Sequence, residues 1–260
     1  MTNPSILNNI PPSPGPGLTE FRVNPEYLVL LQRLPVNIQN IISQEIEQYK
    51  SNFDNYKSIN NQLAGHIDQE YELNINNDSV HQFIKDLCIE HIIRNSNNSS
   101  LSREIHELYL FKNKLDENKI TPEDVTNLGL LFYERLFLTD FWVNFQKKYE
   151  YNPVHFHTGL FSFVIWHEIP YSLEDEKKLG PGIFDNSSRN ENCNGKFEFI
   201  LPNTEHPFAS FKQLRLPVDK KWNGMICLFP SKLNHLVYPF YTSDKHRITI
   251  SGNIQLKLNK

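Results

Sequence analysis

Apolar residues recur at helical spacing in the first half of the chain and gather into short, dense runs in the second. Ile42, Ile46, Tyr49 and Phe53 lie three or four positions apart and predict one helix. Val80, Phe83, Ile84, Leu87 and Cys88 share one face of a second, over 79–94, with Asp78 or Ser79 as its cap. A third is predicted at about 101–115, after the polar loop "NSNNSS" at 95–100. "TPEDV" at 121–125 starts another: Thr121 can cap, Pro122 suits a first turn, and Gly129 offers a stop. From 130 onward the texture changes. "LLFYERLFL", "DFWVNFQKK", "GLFSFVIWHEIP", "GKFEFILP", "GMICLFP", "NHLVYPFY" and "RITISGNIQLKL" are rich in β-branched and aromatic residues, with turn-forming residues between most of them. Such spacing predicts a sandwich or double-stranded barrel rather than a parallel sheet.

The expected fold class is therefore α+β, with an N-terminal helical region packed against a C-terminal jelly roll. Three segments are expected: an extended or disordered tail at 1–20, a mainly helical region at 21–127, and the β core at 128–260. "PPSPGPG" at 11–17 marks the tail, where prolines remove amide donors and glycines add chain entropy. The polar stretch 172–196 has no apolar period and is expected to be a mobile loop beside the barrel, a candidate lid.

Charge and cysteine content narrow the function classes. A formal net charge of −4 gives no basic face of the kind phosphate binding needs, which argues against nucleic acid as the main partner. Cys88, Cys193 and Cys227 are odd in number and widely spaced, so they form no zinc ribbon or redox pair and fit a reducing compartment. The N-terminus lacks the basic and apolar regions of a secretory signal, and no run reaches the ~18 apolar residues that span a bilayer. A cytoplasmic protein without a membrane partner is expected.

The candidate chemistry lies in "NPVHFHTG". On a strand, side chains alternate faces, so His155 and His157 would point the same way and could bind one ion. A third ligand must come from elsewhere, and His235, opening another predicted strand, is the best placed. Three nitrogen donors leave coordination positions open for catalysis. An H-x-H pair alone is a common accident. His66, His81, His91, His106, His167, His206 and His246 show no comparable spacing and are expected to be structural. In the last strand Arg247, Thr249, Ser251 and Asn253 share one face, and Ile248, Ile250 and Ile254 the other. An arginine with a hydroxyl two residues on can cradle a carboxylate, although a solvated polar face would show the same pattern. Asn144, with Trp142 and Gln146 on its face, could bind a cosubstrate, line a pocket or be structural.

Together these motifs resemble the 2-oxoglutarate/Fe(II)-dependent oxygenases, whose core is a double-stranded β-helix. "NPVHFHTG", "FSFVIWHEIP", "LFPSKLNHLVYP" and "RITISGNI" are closest to an uncharacterised, phage-type branch, over about 130–260, with weaker likeness at "LPVNIQNII" and "LAGHIDQEY". The resemblance implies Fe(II), with 2-oxoglutarate as cosubstrate and O2 as oxidant. It implies His155, His157 and His235 as metal ligands, and no catalytic residue beyond them. Arg247 and Thr249 would hold the distal carboxylate of 2-oxoglutarate; Asn144 is a further cosubstrate candidate from its place on the preceding strand, not from the resemblance. It implies a hydroxylase of unknown primary substrate, in a host cytoplasm if phage-encoded. His157 departs from the family, standing where a carboxylate is usual. An imidazole there also fills the space that halogenating members use for halide.

Other readings use similar residues. A cupin would place Glu three or four residues after H-x-H, where Phe161 and Ser162 stand. A three-histidine dioxygenase without 2-oxoglutarate remains open, as does a non-catalytic jelly-roll binding or structural protein. An amidohydrolase barrel needs far more chain after H-x-H than the remaining residues supply. A zinc hydrolase would want H-E-x-x-H, which is absent from the sequence.

Overall fold

The computed structural model describes residues 17–23, 27–95, 133–179, 192–202 and 211–257. Its strands are β1 (Thr19–Arg22), β2 (Leu28–Arg33), β3 (Glu70–Glu72), β4 (Leu136–Gln146), β5 (Asn152–His155), β6 (Phe161–Glu168), β7 (Phe197–Pro202), β8 (Phe211–Leu216), β9 (Met225–Pro230), β10 (Asn234–Val237) and β11 (Arg247–Leu256). The helices are α1 (Val36–Ser51), α2 (Asp78–Asn95) and α3 (Leu173–Lys178). One sheet has the order β1-β2-β9-β6-β11-β4-β3 and the other β5-β10-β7-β8. Among the described residues, the strand pairings are all antiparallel. This is the jelly-roll arrangement expected from the runs of β-branched and aromatic residues, with helices on one side.

The sheets pack by alternation. On β2, Leu28 and Leu30 face a core shared with α1 and α2, and Val29 and Leu31 face the space between the sheets. β6 and β9 divide in the same way: Phe161, Phe163, Ile165, Ile226 and Leu228 join the helical core, while Val164, Trp166, Met225, Cys227 and Phe229 join the inter-sheet core. A strand buried on both faces reads as a continuous apolar run, which is why "FSFVIW" lacks polar alternation. Ile38, Ile42, Ile46 and Tyr49 of α1 and Val80, Ile84, Leu87, Cys88 and Ile92 of α2 cover the outer face of the large sheet. Gly252 on β11 lets that layer close, since a Cβ there would lie 2.5 Å from Phe163 Cζ and 2.6 Å from the Asp140 carbonyl oxygen.

Several local expectations shift. α1 stops at Ser51, and Phe53 belongs to a separate short 3₁₀ turn. The α2 cap is Asn77, whose Oδ1 accepts from Ser79 N at 3.0 Å and Val80 N at 3.3 Å. The 172–196 stretch is not simply a loop. Ser172 Oγ accepts from Asp175 N, and the buried Glu176 of α3 accepts from Tyr241 N and Thr242 N, which ties the helix to the chain before β11. The N-terminal region supplies β1, β2 and β3 to the large sheet as well as the two long helices. The helix expected at 101–115, the "TPEDV" start, the 180–191 part of the candidate lid, His106 and His206 lie outside the described residues.

Candidate metal and cosubstrate site

β5 and β10 pair so that His155 and His235 are direct register partners. His157 lies two residues beyond the end of β5, where its backbone N–H donates to the Ser231 carbonyl at 2.8 Å. It is off the strand, yet its ring still turns toward the other two. Ring centroids are 4.2 Å apart for His155 and His235, and 5.0 Å for each pairing with His157. A donor nitrogen from each of the three lies within 4.8 Å of the others, the one such grouping of possible metal ligands among the described residues.

Local backbone fixes which nitrogens face inward. Pro153 O lies 2.7 Å from His155 Nδ1, and Leu233 O lies 2.9 Å from His235 Nδ1. A carbonyl can only accept, so both Nδ1 atoms carry the hydrogen and both Nε2 atoms keep a lone pair. His157 Nε2 is 3.1 Å from His235 Nε2. Two imidazole nitrogens about 2.1 Å from one ion and at right angles would be about 3.0 Å apart, so this spacing suits a shared metal. Burial lowers all three imidazole pKa values. His157 falls to about 3, with the His155 charge as a lesser cause, and His235 is pushed down further by both neighbours. The cluster is thus neutral, the form that binds a metal ion. Phe197 stacks on His235, Phe229 meets it edge-on, and Trp142 leans on His157. These rings shield the cluster from water.

The other three candidate residues line the same cleft as the histidines: Arg247, Thr249 and Asn144. β11 places Thr249 opposite Asn144 and Arg247 opposite Gln146 on β4. Arg247 is only 1% exposed. Its Nε donates to Gln146 Oε1 at 2.9 Å, and Nη1 donates to Tyr171 Oη and the Gly195 carbonyl at 2.8 and 3.1 Å. Nη2 donates to Gln146 Oε1 and the Tyr238 carbonyl. Every one of these acceptors is neutral. A guanidinium buried among dipoles alone keeps its full charge, and an incoming anion would be held strongly there. Thr249 Oγ1 accepts from Asn144 Nδ2 at 3.1 Å, and its own proton has no partner among the described residues.

Residues 140–253 match the family model described as "Putative 2OG-Fe(II) oxygenase". Over this segment the chain is similar to the 2OG-Fe(II) oxygenases. The match supports an enzyme of the dioxygenase class that uses Fe(II), 2-oxoglutarate as small-molecule cosubstrate and O2. The oxygenase segment contains all six candidate residues. No curated protein matches the chain. Among solved structures, a prolyl-4-hydroxylase from Pseudomonas putida is similar at a TM-score of 0.42 and 12% identity, over 97% of this chain and 98% of that one. No helix among the described residues is long and apolar enough to cross a membrane.

Two of the histidines expected to be structural make local contacts outside the cleft. His91 is buried in α2 and bonds the Leu28 carbonyl at 2.8 Å, and His66 stacks on Tyr151. The groups that orient Arg247 were harder to foresee. Gln146 could be read from its shared face with Asn144, whereas Tyr171 and Gly195 reach the guanidinium only through the fold. Gly195 adopts φ +70°, and a Cβ there would lie 2.5 Å from the Tyr171 ring, so its carbonyl can approach Arg247 only because the residue is glycine.

Proposed function

We propose that this oxygenase is a hydroxylase. In this reading His155, His157 and His235 hold Fe(II), and Arg247, Thr249 and Asn144 receive 2-oxoglutarate. The overall reaction would convert 2-oxoglutarate, O2 and a substrate C–H bond to succinate, CO2 and an alcohol. The bound iron would supply O2 activation and the oxidising power. The protein's part is positional. The Nδ1–H bonds to the Pro153 and Leu233 carbonyls aim His155 and His235 Nε2, and the aromatic rings exclude water. Arg247 would pair with the distal carboxylate in the planar geometry that guanidinium favours, with the Thr249 hydroxyl as a further donor.

The observation that carries this reading is the juxtaposition in one cleft of a neutral three-imidazole cluster and a buried guanidinium whose acceptors are all uncharged. Three neutral ligands would leave the ion its full +2 charge, and dianionic 2-oxoglutarate would neutralise it. The test is succinate release from 2-oxoglutarate with Fe(II) and O2. Wild type should form succinate and His235→Ala should not. Equal release by both would overturn the assignment.

The absence of a carboxylate from the cluster favours one second reading, a three-histidine dioxygenase that uses no 2-oxoglutarate. Oxygen consumption with iron that is indifferent to 2-oxoglutarate would favour it.

A further inference from the structure

One row of side chains crosses the large sheet from its edge into the cleft. Glu70 on β3 is the register partner of Asn144 on β4, which is the register partner of Thr249 on β11. Backbone bonds from Phe145 N to Gln69 O and from Leu73 N to Phe141 O, each 2.9 Å, mark the alternate residue pairs as the hydrogen-bonded ones. Glu70 and Asn144 therefore form a non-hydrogen-bonded pair, the kind whose side chains lie closest, with Cβ atoms about 4.5–5.5 Å apart. Glu70 has no solvent exposure, and neither carboxyl oxygen has a hydrogen-bond partner. Asn144 Oδ1 is buried and unpartnered too. Gly65 closes over the carboxyl so tightly that a Cβ there would lie 2.8 Å from Glu70 Oε1.

Buried acceptors facing one another without a donor are costly, about 1–3 kcal/mol each. A hydrogen on Glu70 removes the conflict. We propose that Glu70 is a positioning residue: as a neutral carboxylic acid it donates to Asn144 Oδ1, holds the amide nitrogen toward Thr249, and so leaves the Thr249 hydroxyl proton for the carboxylate of 2-oxoglutarate. This rests on reading the cleft as the 2-oxoglutarate site.

Donor counting supports it. Thr249 has one proton. If Asn144 presents Nδ2 to Thr249 Oγ1, as at 3.1 Å here, that proton is left for a ligand. If Glu70 were ionised, the amide would be better placed with Nδ2 toward the carboxylate and Oδ1 toward Thr249. The hydroxyl would then donate to Asn144 and meet an incoming carboxylate with lone pairs. Burial, and secondarily the Glu150 carboxylate, push the Glu70 carboxyl up to about 7, so the neutral form predominates below that pH.

Infrared spectroscopy of the metal-free protein at mildly acidic pH, below that value, tests the proton directly. The difference between wild type and the isosteric Glu70→Gln should contain the carbonyl stretch of a protonated carboxylic acid. A carboxylate band pair in its place would overturn the proposal, whether or not the cleft binds 2-oxoglutarate. Calorimetric titration of 2-oxoglutarate into the Mn(II)-loaded protein tests the consequence. Glu70→Gln keeps a donor toward Asn144 and should bind as wild type does, while Glu70→Met should bind about tenfold more weakly, the worth of one hydrogen bond to a charged group. Equal affinity in all three proteins would overturn the positioning role. Wild type that binds no 2-oxoglutarate would refute the function reading instead, and the infrared result would still decide the state of Glu70.

Discussion

Arg247 illustrates how far a single residue could be read from sequence. Its pairing with a hydroxyl two positions on pointed to a carboxylate cradle, but the same pattern fits a solvated edge. Burial of Arg247 removes the solvated-edge reading, and its acceptors are neutral. Arg247→Lys keeps the charge but loses the planar fork, and should weaken 2-oxoglutarate binding roughly tenfold to a hundredfold with metal binding intact. Calorimetry on the Mn(II)-loaded protein checks it, and loss of metal binding would place Arg247 in a different role. His157 was legible as a candidate but not as an off-strand residue, because a strand's end is set by its partner strand rather than by its own sequence. His91 makes a separate, purely structural prediction. Burial lowers its pKa from the ordinary 6.5 to about 4. Between those values the unfolded chain binds a proton that the folded chain does not, so stability falls as pH drops through that window. Relative to His91→Gln, wild type should lose about 2 kcal/mol more between about pH 7 and pH 5 in urea unfolding of the metal-free protein. Parallel pH profiles for the two would contradict the assignment.

Among the elements, those with strong periodicity were readable and those defined by pairing were not. α1, α2, β6, β7, β9, β10 and β11 sit where apolar spacing places them. β1, β3, β5 and β8 are short or polar and exist because a neighbour pairs with them. β8 buries only Leu214 and Leu216 of "FKQLRL", and β5 contains Pro153, which edge positions tolerate. Glu70 shows the same limit. Its place on a three-residue strand opposite Asn144 depends on register across the sheet, which no local pattern encodes. β11 is the element on which the site most depends, because its polar face lines the cleft and its apolar face joins the helical core. Gly252→Ala should strain both β11 and Phe163, costing about 1–3 kcal/mol. A lowered thermal midpoint would report this, and an unchanged midpoint would show that Phe163 moves freely.

On the scale of the whole molecule, two sheets close around a cleft that brings together residues as far apart in sequence as Asn144 and Thr249. Helices α1 and α2 brace the outer face of the large sheet, so that its inner face can carry polar chemistry. A metal that binds only the folded cluster should stabilise the whole chain, by about 2.7 kcal/mol at a hundredfold excess over its Kd. Addition of Mn(II) should therefore raise the thermal midpoint of wild type but not of His155→Ala. The central claim is that iron and 2-oxoglutarate meet in this cleft. Anaerobic visible spectroscopy tests it most directly: Fe(II) and then 2-oxoglutarate are added to wild type and to His235→Ala. The account predicts a weak charge-transfer band in wild type, saturating at one equivalent of iron and absent from the variant. No band in wild type, or an equal band in both proteins, would contradict it.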